Sequence, residues 1–274
     1  MRGLRPRQCA DLSYFLRNLL INPGFEIWQR SYPVVINSGG LHPGPDEWYG
    51  NYASSTSLTL NRETTEKRGG WASLKMTLVG TPGGYAGIRQ GVEEYKSLEG
   101  ETVTFCAWVK TALSGVRLML WDYTGSSNWE SAFGQEHPGD NEWHQLVVTK
   151  AVRTGLQPDT GSSPHGQGVT VMLGMQTAGD VYVDDCGLYI GDFPEGVDFN
   201  PPNYADDLDR CQRWYEYCAF REGLMFTFGQ TYMQCLPVFR YKTMKAATPV
   251  VTLTSYGYNF LTSFTGVGAY TDQA

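Results

Sequence analysis

"ETVTFCAWVKT", residues 101–111, is the stretch that decides the fold. In an extended chain Val103, Phe105, Ala107 and Val109 fall on one face, and Thr102, Thr104, Cys106, Trp108 and Lys110 on the other. Strands impose this period of two, with one face turned to a core. Comparable runs lie at 57–63, 71–79, 85–93, 115–123, 143–152, 168–176 and 180–190, punctuated by Gly, Pro, Asp and Asn. About eight strands with no helical period between them predict an antiparallel sandwich. A jelly roll is the leading arrangement, because it packs about this number of strands into two sheets.

The composition agrees. Thirty-two Gly, 17 Tyr, 12 Phe and 8 Trp, with 18% charged residues among 274, describe a turn-rich, aromatic-rich β protein of one or two domains. The net charge of −7 is uneven: residues 1–20 carry four arginines against Asp11, or +3, which leaves −10 for the rest. An acidic body argues against nucleic acid, whose phosphates need clustered Lys and Arg. No run of eighteen apolar residues occurs, so no membrane insertion is expected. Leu12, Phe15, Leu16, Leu19 and Leu20 recur at helical spacing. They predict a short N-terminal helix, either an arm over 1–20 that docks on a partner or a helix folded back on its own domain. Six cysteines, with no CxxC pair and no histidine at zinc-like spacing, read as free thiols of a reducing compartment.

The β body is assigned to 21–192. Residues 193–203, with three prolines and no periodicity, read as a linker or a strap at the domain edge. "YADDLDRCQRWYEYC" (204–218) follows as a helix, with Asn203 as its N-cap and Asp206 and Asp207 at the positive end of its dipole. The chain then returns to β runs, so 204–274 forms a small helix-plus-β unit.

No catalytic residue is assigned. The four histidines sit in no GxSxG, HExxH or P-loop setting. The carboxylates adjacent in sequence, Glu93-Glu94, Asp184-Asp185 and Asp206-Asp207, cannot form a facing dyad within a regular strand, where neighbours point to opposite faces. Glu130 and Glu136 read as loop residues. Asp184 and Asp185 interrupt an apolar strand, and burying an unpaired charge is costly, so a partner or a cation is expected there. Glu26, amid Phe25, Ile27 and Trp28, fits a solvent-facing strand position, a metal ligand or a catalytic group. Trp71, Trp108 and Trp143 are expected in the core. Tyr123 and Trp129, the latter in the polar stretch "GSSNWESAFG" (125–134), are the leading candidates for stacking on sugar rings. Tyr49 and Tyr52, which cluster with Trp48, follow.

"NLLINPGFEIWQR" (18–30), "GWASLKMTL" (70–78), "SLEGETVTFCAWVKT" (97–111), "NEWHQLVVT" (141–149) and "DVYVDDCGLYIGD" (180–192) together resemble the carbohydrate-binding-module-like jelly rolls. "LDRCQRWYEYC" (208–218) and "LPVFRYKTMKAATPVVTL" (236–253) are similar to the C-terminal region of bacteriophage tail-fibre and related virion proteins. Trp214 and Lys245 stand where that pattern has Tyr and Arg. The combined resemblance implies an all-β jelly-roll sandwich with a short N-terminal helix and a small C-terminal helix-plus-β unit. It implies a non-enzymatic protein of the virion surface: a short fibre, tail-tip or head appendage, trimeric and joined to other virion proteins through residues 1–20. The partner it implies is a host cell-surface glycan; the alternatives are a structural decoration without sugar binding and a carbohydrate-active enzyme or its accessory module. No cofactor is required by this reading. The resemblance also implies a structural Ca²⁺ held by Glu26 with Asp184 or Asp185; the alternative is a hydrogen-bonded Glu26 without metal.

Overall fold

A computed structural model describes residues 17–37, 40–52 (Tyr52 by its backbone), 57–159 and 167–215, and the backbone of strands Leu224–Phe228 and Met233–Pro237. Residues 1–16, which carry most of the expected N-terminal helix, lie outside the described residues. The chain divides into two compact units, 1–208 and 209–274.

The first unit is an antiparallel sandwich, as the alternation predicted. Its first sheet contains β1 (Val34–Ile36), β4 (Ser57–Glu63), β5 (Ser73–Val79), β7 (Thr102–Lys110), β10 (Trp143–Ala151) and β12 (Gly179–Ile190). Their order across the sheet is β1-β4-β5-β12-β7-β10. The second sheet contains β2 (Gly40–Pro43), β3 (Tyr49–Tyr52), β6 (Ala86–Gly91), β8 (Arg117–Tyr123), β9 (Trp129–Glu136) and β11 (Val169–Met175). Its order is β2-β3-β6-β11-β8-β9. Eight of these strands match the expected runs. The other four, β1, β2, β3 and β9, are three to four residues long or largely polar, so their own periodicity is weak.

The core lies between the sheets. Val103, Phe105, Ala107 and Val109 on β7 are fully buried and meet Leu118 and Leu120 of β8 and Val169, Val171 and Leu173 of β11 in one cluster. Each such aliphatic or aromatic side chain contributes about 1.5–3 kcal/mol through burial. Trp48, grouped with exposed aromatics by sequence, is fully buried against Phe25, ring centroids 5.1 Å apart. Trp71, expected in the core, is 65% exposed instead. Trp108 and Trp143 are half-buried on the outer face of the first sheet.

The opening turn is organised by Asn22, which is buried and holds a left-handed φ of 50°. Its Nδ2 donates to the carbonyls of Ile27 (2.9 Å) and Asp46 (3.0 Å), and its Oδ1 accepts the Ile27 N–H at 3.0 Å. Its own carbonyl accepts Trp48 Nε1 at 3.0 Å. Leu19 and Leu20 belong to no helix: both are buried in the core, and the Leu19 N–H donates to Leu188 O at 3.0 Å. At the other end of the unit, residues 193–197 lie against the first sheet. Phe193 N–H donates to Thr104 Oγ1 at 3.0 Å, and Gln145 Nε2 donates to Val197 O at 2.8 Å.

Helix α1 spans Tyr204–Gln212, shorter than its sequence pattern, and Asn203 Oδ1 caps it by accepting the Ala205 N–H at 2.9 Å. In the second unit, β13 (Leu224–Phe228) and β14 (Met233–Pro237) pair antiparallel, with Phe226 opposite Cys235.

Candidate functional site

Strand β8 sends Leu118, Leu120 and Asp122 inward, and so presents Arg117, Met119, Trp121 and Tyr123 on the outer face of the second sheet. Its neighbour β9 is a strand where the sequence suggested a loop, and its register sets Trp129 opposite Tyr123, Ser131 opposite Trp121 and Phe133 opposite Met119. The Tyr123 and Trp129 rings lie 4.4 Å apart at 30°. Phe133 is 52% exposed, and Tyr85 lies 6.2 Å from it. Arg117 stands 5.7 Å from the Tyr85 ring and 5.9 Å from the Phe133 ring, ion-paired with Glu136. The result is an aromatic stripe along the β8–β9 edge. Phe133 and Tyr85 were missed by sequence reasoning, although Trp129, Ser131 and Phe133 already alternate in "WESAF".

The stripe is held from beneath. Asp122, fully buried, accepts Arg153 Nε at 2.6 Å and the Arg153 N–H at 3.0 Å, and lies 3.2 Å from Lys150 Nζ. Lys150 reaches across to Glu130 at 2.8 Å. Arg153 NH1 also donates to Asn128 Oδ1 at 3.1 Å, which ties down the turn joining Tyr123 to Trp129. Asp122 and Glu130 are cross-strand partners on the inner side of the very positions that carry the stacked rings.

Tyr49 lies on the same outer face, opposite Arg89 of β6, and is half-buried. Burial and the Glu47 charge raise its hydroxyl pKa. Three strand spacings, about 14 Å, separate β3 from β8, so Tyr49 does not join the Tyr123–Trp129 pair. Between them Arg89 is buried, its pKa pushed down to about 10 by burial against the opposing charge of Asp159, with its guanidinium 6.0 Å from the Trp121 ring. Tyr52 closes β3 opposite Gly40; its side chain lies outside the described residues.

A second cluster forms where the β4–β5 loop meets β12. Strand alternation would send Asp184 and Asp185 to opposite faces, but β12 is irregular between Asp184 and Gly187, and Asp185 has a φ of 50°. Both carboxylates therefore turn to the same loop. Asp184 Oδ2 accepts the Arg68 N–H at 2.8 Å, and Asp185 Oδ1 lies 4.0 Å from where a Cβ on Gly69 would stand. Glu26 Oε1 accepts the Trp71 N–H at 2.6 Å, while its buried Oε2 has no partner among the described residues. A Cβ on Gly70 would fall 1.7 Å from Glu26 Oε1, and its φ is +52°, so only glycine fits this cradle. Burial and the Asp185 charge push the Asp184 carboxyl up to about 7. Asp185 is raised too, by burial and the Glu26 charge, with Arg68 opposing. An orphaned buried oxygen beside carboxylates short of cations fits a hard metal ion with oxygen ligands.

Among the described residues, His137, Asp140 and His144 also bring potential ligand atoms within 4.8 Å of one another. His137 is already engaged, however: Nδ1 accepts the Gly139 N–H at 2.9 Å, and Nε2 faces the carbonyls of Val109 (3.2 Å) and Glu142 (3.1 Å). It pins the β9–β10 turn.

No protein-family model and no curated protein matches the sequence. Solved structures with a similar course of chain include the C-terminal family 22 carbohydrate-binding module of Clostridium thermocellum xylanase 10B, at 13% identity and a TM-score of 0.39, covering 53% of this chain and 85% of that one. The xylan-binding domain CBM22-1 from Paenibacillus barcinonensis is 12% identical, with a TM-score of 0.38 over 57% of this chain and 97% of its own. The enzymatically active domain of tailspike protein 4 from bacteriophage CBA120 is 12% identical, with a TM-score of 0.38 over 64% of this chain and 21% of that one.

Proposed function

We propose that the sandwich is a non-catalytic saccharide-binding domain whose contact surface is the β8–β9 aromatic stripe. The observation that carries this reading is the Tyr123–Trp129 pair, in ring contact and half-exposed on a buried ion network that holds it in place. Flat rings take the apolar C–H faces of sugars, and a fixed platform avoids the cost of ordering side chains on binding. Trp121 and Phe133 extend the surface by four residues along the strands, about 13 Å, which suits a chain of linked sugars more than a single ring. The acids nearest the rings support a binding role: Asp122 and Glu130 are engaged by Lys150 and Arg153.

The whole chain is proposed to be a bacteriophage appendage, in which this domain binds host surface glycan and residues 1–20 join other virion proteins. That part rests on the resemblance of 208–218 and 236–253 to virion proteins, as does the trimer that would give several weak sites avidity. The Glu26–Asp184–Asp185 cluster is proposed to hold a Ca²⁺ that fastens the opening turn and the β4–β5 loop to β12, with no part in chemistry.

The deciding experiment is binding of the full chain to a glycan array and to whole host cells. Trp129→Ala and Tyr123→Ala should each weaken binding about tenfold or more, with stability nearly unchanged. Binding that survives both substitutions would move the site elsewhere, and binding to no glycan would favour a structural appendage. Release of reducing sugar would overturn the non-catalytic reading. Imaging of intact particles tests the virion assignment, and the solution mass tests the trimer.

A further inference from the structure

A second aromatic pair stands apart from the stripe. Trp71, just before β5 in the first sheet, is 65% exposed, and Tyr204, at the start of α1, is 45% exposed. Their ring centroids lie 5.3 Å apart at 47°. An exposed indole forgoes the stabilisation that burial of a large apolar side chain brings, so its place on the surface asks for a reason.

The loop that presents Trp71 is fixed by carboxylates along its length. Glu63 Oε1 accepts the N–H groups of Thr64 (2.8 Å) and Thr65 (2.6 Å). Asp184 holds Arg68 at 2.8 Å, and Glu26 holds Trp71 at 2.6 Å. On the other side, Tyr204 opens a helix capped by Asn203. Neither ring sits on a loose tip.

The surroundings indicate the size and chemistry of the ligand. Gly69 and Gly70 precede Trp71 and are exposed; Gly70 packs on the Glu26 carboxylate, and neither carries a side chain that could stand beside the ring. At the rim, Lys67 Nζ donates to Gly70 O at 2.6 Å, next to Trp71, while Arg68 turns its guanidinium over Trp108, 3.7 Å from the ring centre. The exposed Val79 lies at the far end of β5, more than about 20 Å away along the strand, and Val35 pairs toward that same end. Two rings in a polar rim are far short of the ~800 Å² per partner that a stable protein interface buries. They match the face of a sugar ring.

We propose that Trp71 and Tyr204 form a second saccharide site, which takes one or two pyranose units of a glycan chain. It shares with the proposed function the premise that the ligand is a saccharide, but it does not depend on the stripe. The sandwich then carries two separate contacts and gains avidity on a dense glycan surface.

The test is NMR titration of the indole N–H signals of the full chain with xylohexaose, cellohexaose and trigalacturonate, the Trp71 signal being assigned through Trp71→Phe. In a Tyr123→Ala/Trp129→Ala background, at least one of these sugars should still shift the Trp71 signal saturably, and Tyr204→Ala should weaken that response. Trp71→Ala should lower retention on immobilised xylan, cellulose or polygalacturonate, whichever matches the responding oligosaccharide, at least about tenfold, while Trp71→Phe retains most of it. Both variants keep the backbone N–H that Glu26 holds, and an unchanged melting temperature confirms their fold. If sugars shift Trp129 but never Trp71, the second site is wrong and the stripe stands. If they shift neither, both readings fall. Self-association that disappears in Trp71→Ala would overturn the proposal by assigning the pair to a contact between copies.

Discussion

Two carboxylate clusters lie at different places in one sandwich and are settled in different ways. Beneath the stripe, Asp122 and Glu130 meet Lys150 and Arg153, two acids with two bases. At the β4–β5 loop, Glu26 and Asp184 receive backbone N–H groups, that of Asp185 among them, and Arg68, whose charge reaches Asp185, rests its guanidinium 3.7 Å from the centre of the Trp108 ring. The first cluster is complete without anything from solution, and it can hold a binding surface rigid. The second keeps a buried carboxylate oxygen that has no partner among the described residues, and carboxyls raised above their ordinary range. The difference separates a support from a site that asks for a cation.

The largest expected effect comes from breaking the complete cluster. Asp122→Ala leaves Lys150, whose side chain is 4% exposed, facing Glu130 alone and strips Arg153 of its main acceptor. Removal of one partner from a buried pair costs about 3–5 kcal/mol, readable by urea unfolding. A loss below about 1 kcal/mol would show that the network is more solvated than its geometry indicates, and would end its contrast with the second cluster.

Next in size is metal binding at the incomplete cluster. Ca²⁺ at a hundredfold excess over its Kd should stabilise the sandwich by about 2.7 kcal/mol relative to chelator. Glu26→Gln and Asp185→Asn should each remove most of that gain, whereas Mg²⁺, which demands smaller and stricter octahedral geometry, should reproduce little of it. A wild-type protein indifferent to Ca²⁺ would leave Glu26 with its hydrogen bond to Trp71 as its whole role.

The two clusters also differ in how far the sequence disclosed them. The alternation of 101–111 predicted the core-facing residues of β7, because that strand is paired on both sides and its pattern is local. Thr104 and Cys106 on its other face are buried by contacts with 193–197 that the pattern does not show. Strand β9 was hidden, since "WESAFGQE" is polar and its place depends on register with β8. The Tyr123–Trp129 pair was singled out residue by residue, but the ion network under it joins positions up to 31 apart and left no local trace. Trp48 and Trp71 are the same residue type with opposite fates. Trp48 reaches Phe25 and the Asn22 carbonyl, whereas Trp71 falls where a loop held by distant carboxylates turns outward. The rule that adjacent aspartates diverge failed at β12 for a similar reason: the Cys186 N–H is drawn to Pro23 O at 2.9 Å, a contact the strand itself does not encode.

The last effect is a pH slope, a net of opposed terms, and it sharpens the contrast because two groups push it in opposite directions. Asp184, raised to about 7 by burial and the Asp185 charge, holds its proton in the folded state where the unfolded carboxyl, near pH 3.9, has lost it. Its contribution is therefore complete below about pH 4 and is lost as pH rises through about 7. Asp185 is raised as well and acts in the same direction. His137 is lowered by burial, so its contribution is present above the ordinary imidazole value of about 6.5 and is lost as pH falls. Urea unfolding in chelator, from about pH 4.5 to about 7.5, reads the sum of these terms. Asp184→Asn keeps an oxygen to accept the Arg68 N–H and removes the largest falling term, so the variant should gain on wild type steadily as pH rises. Ca²⁺ prefers the ionised carboxylates and should flatten the wild-type slope while leaving that of Asp184→Asn largely as it was. A wild-type slope that survives both the substitution and the metal would place the proton outside this cluster, and the raised Asp184 would then lose its claim to mark the cation site.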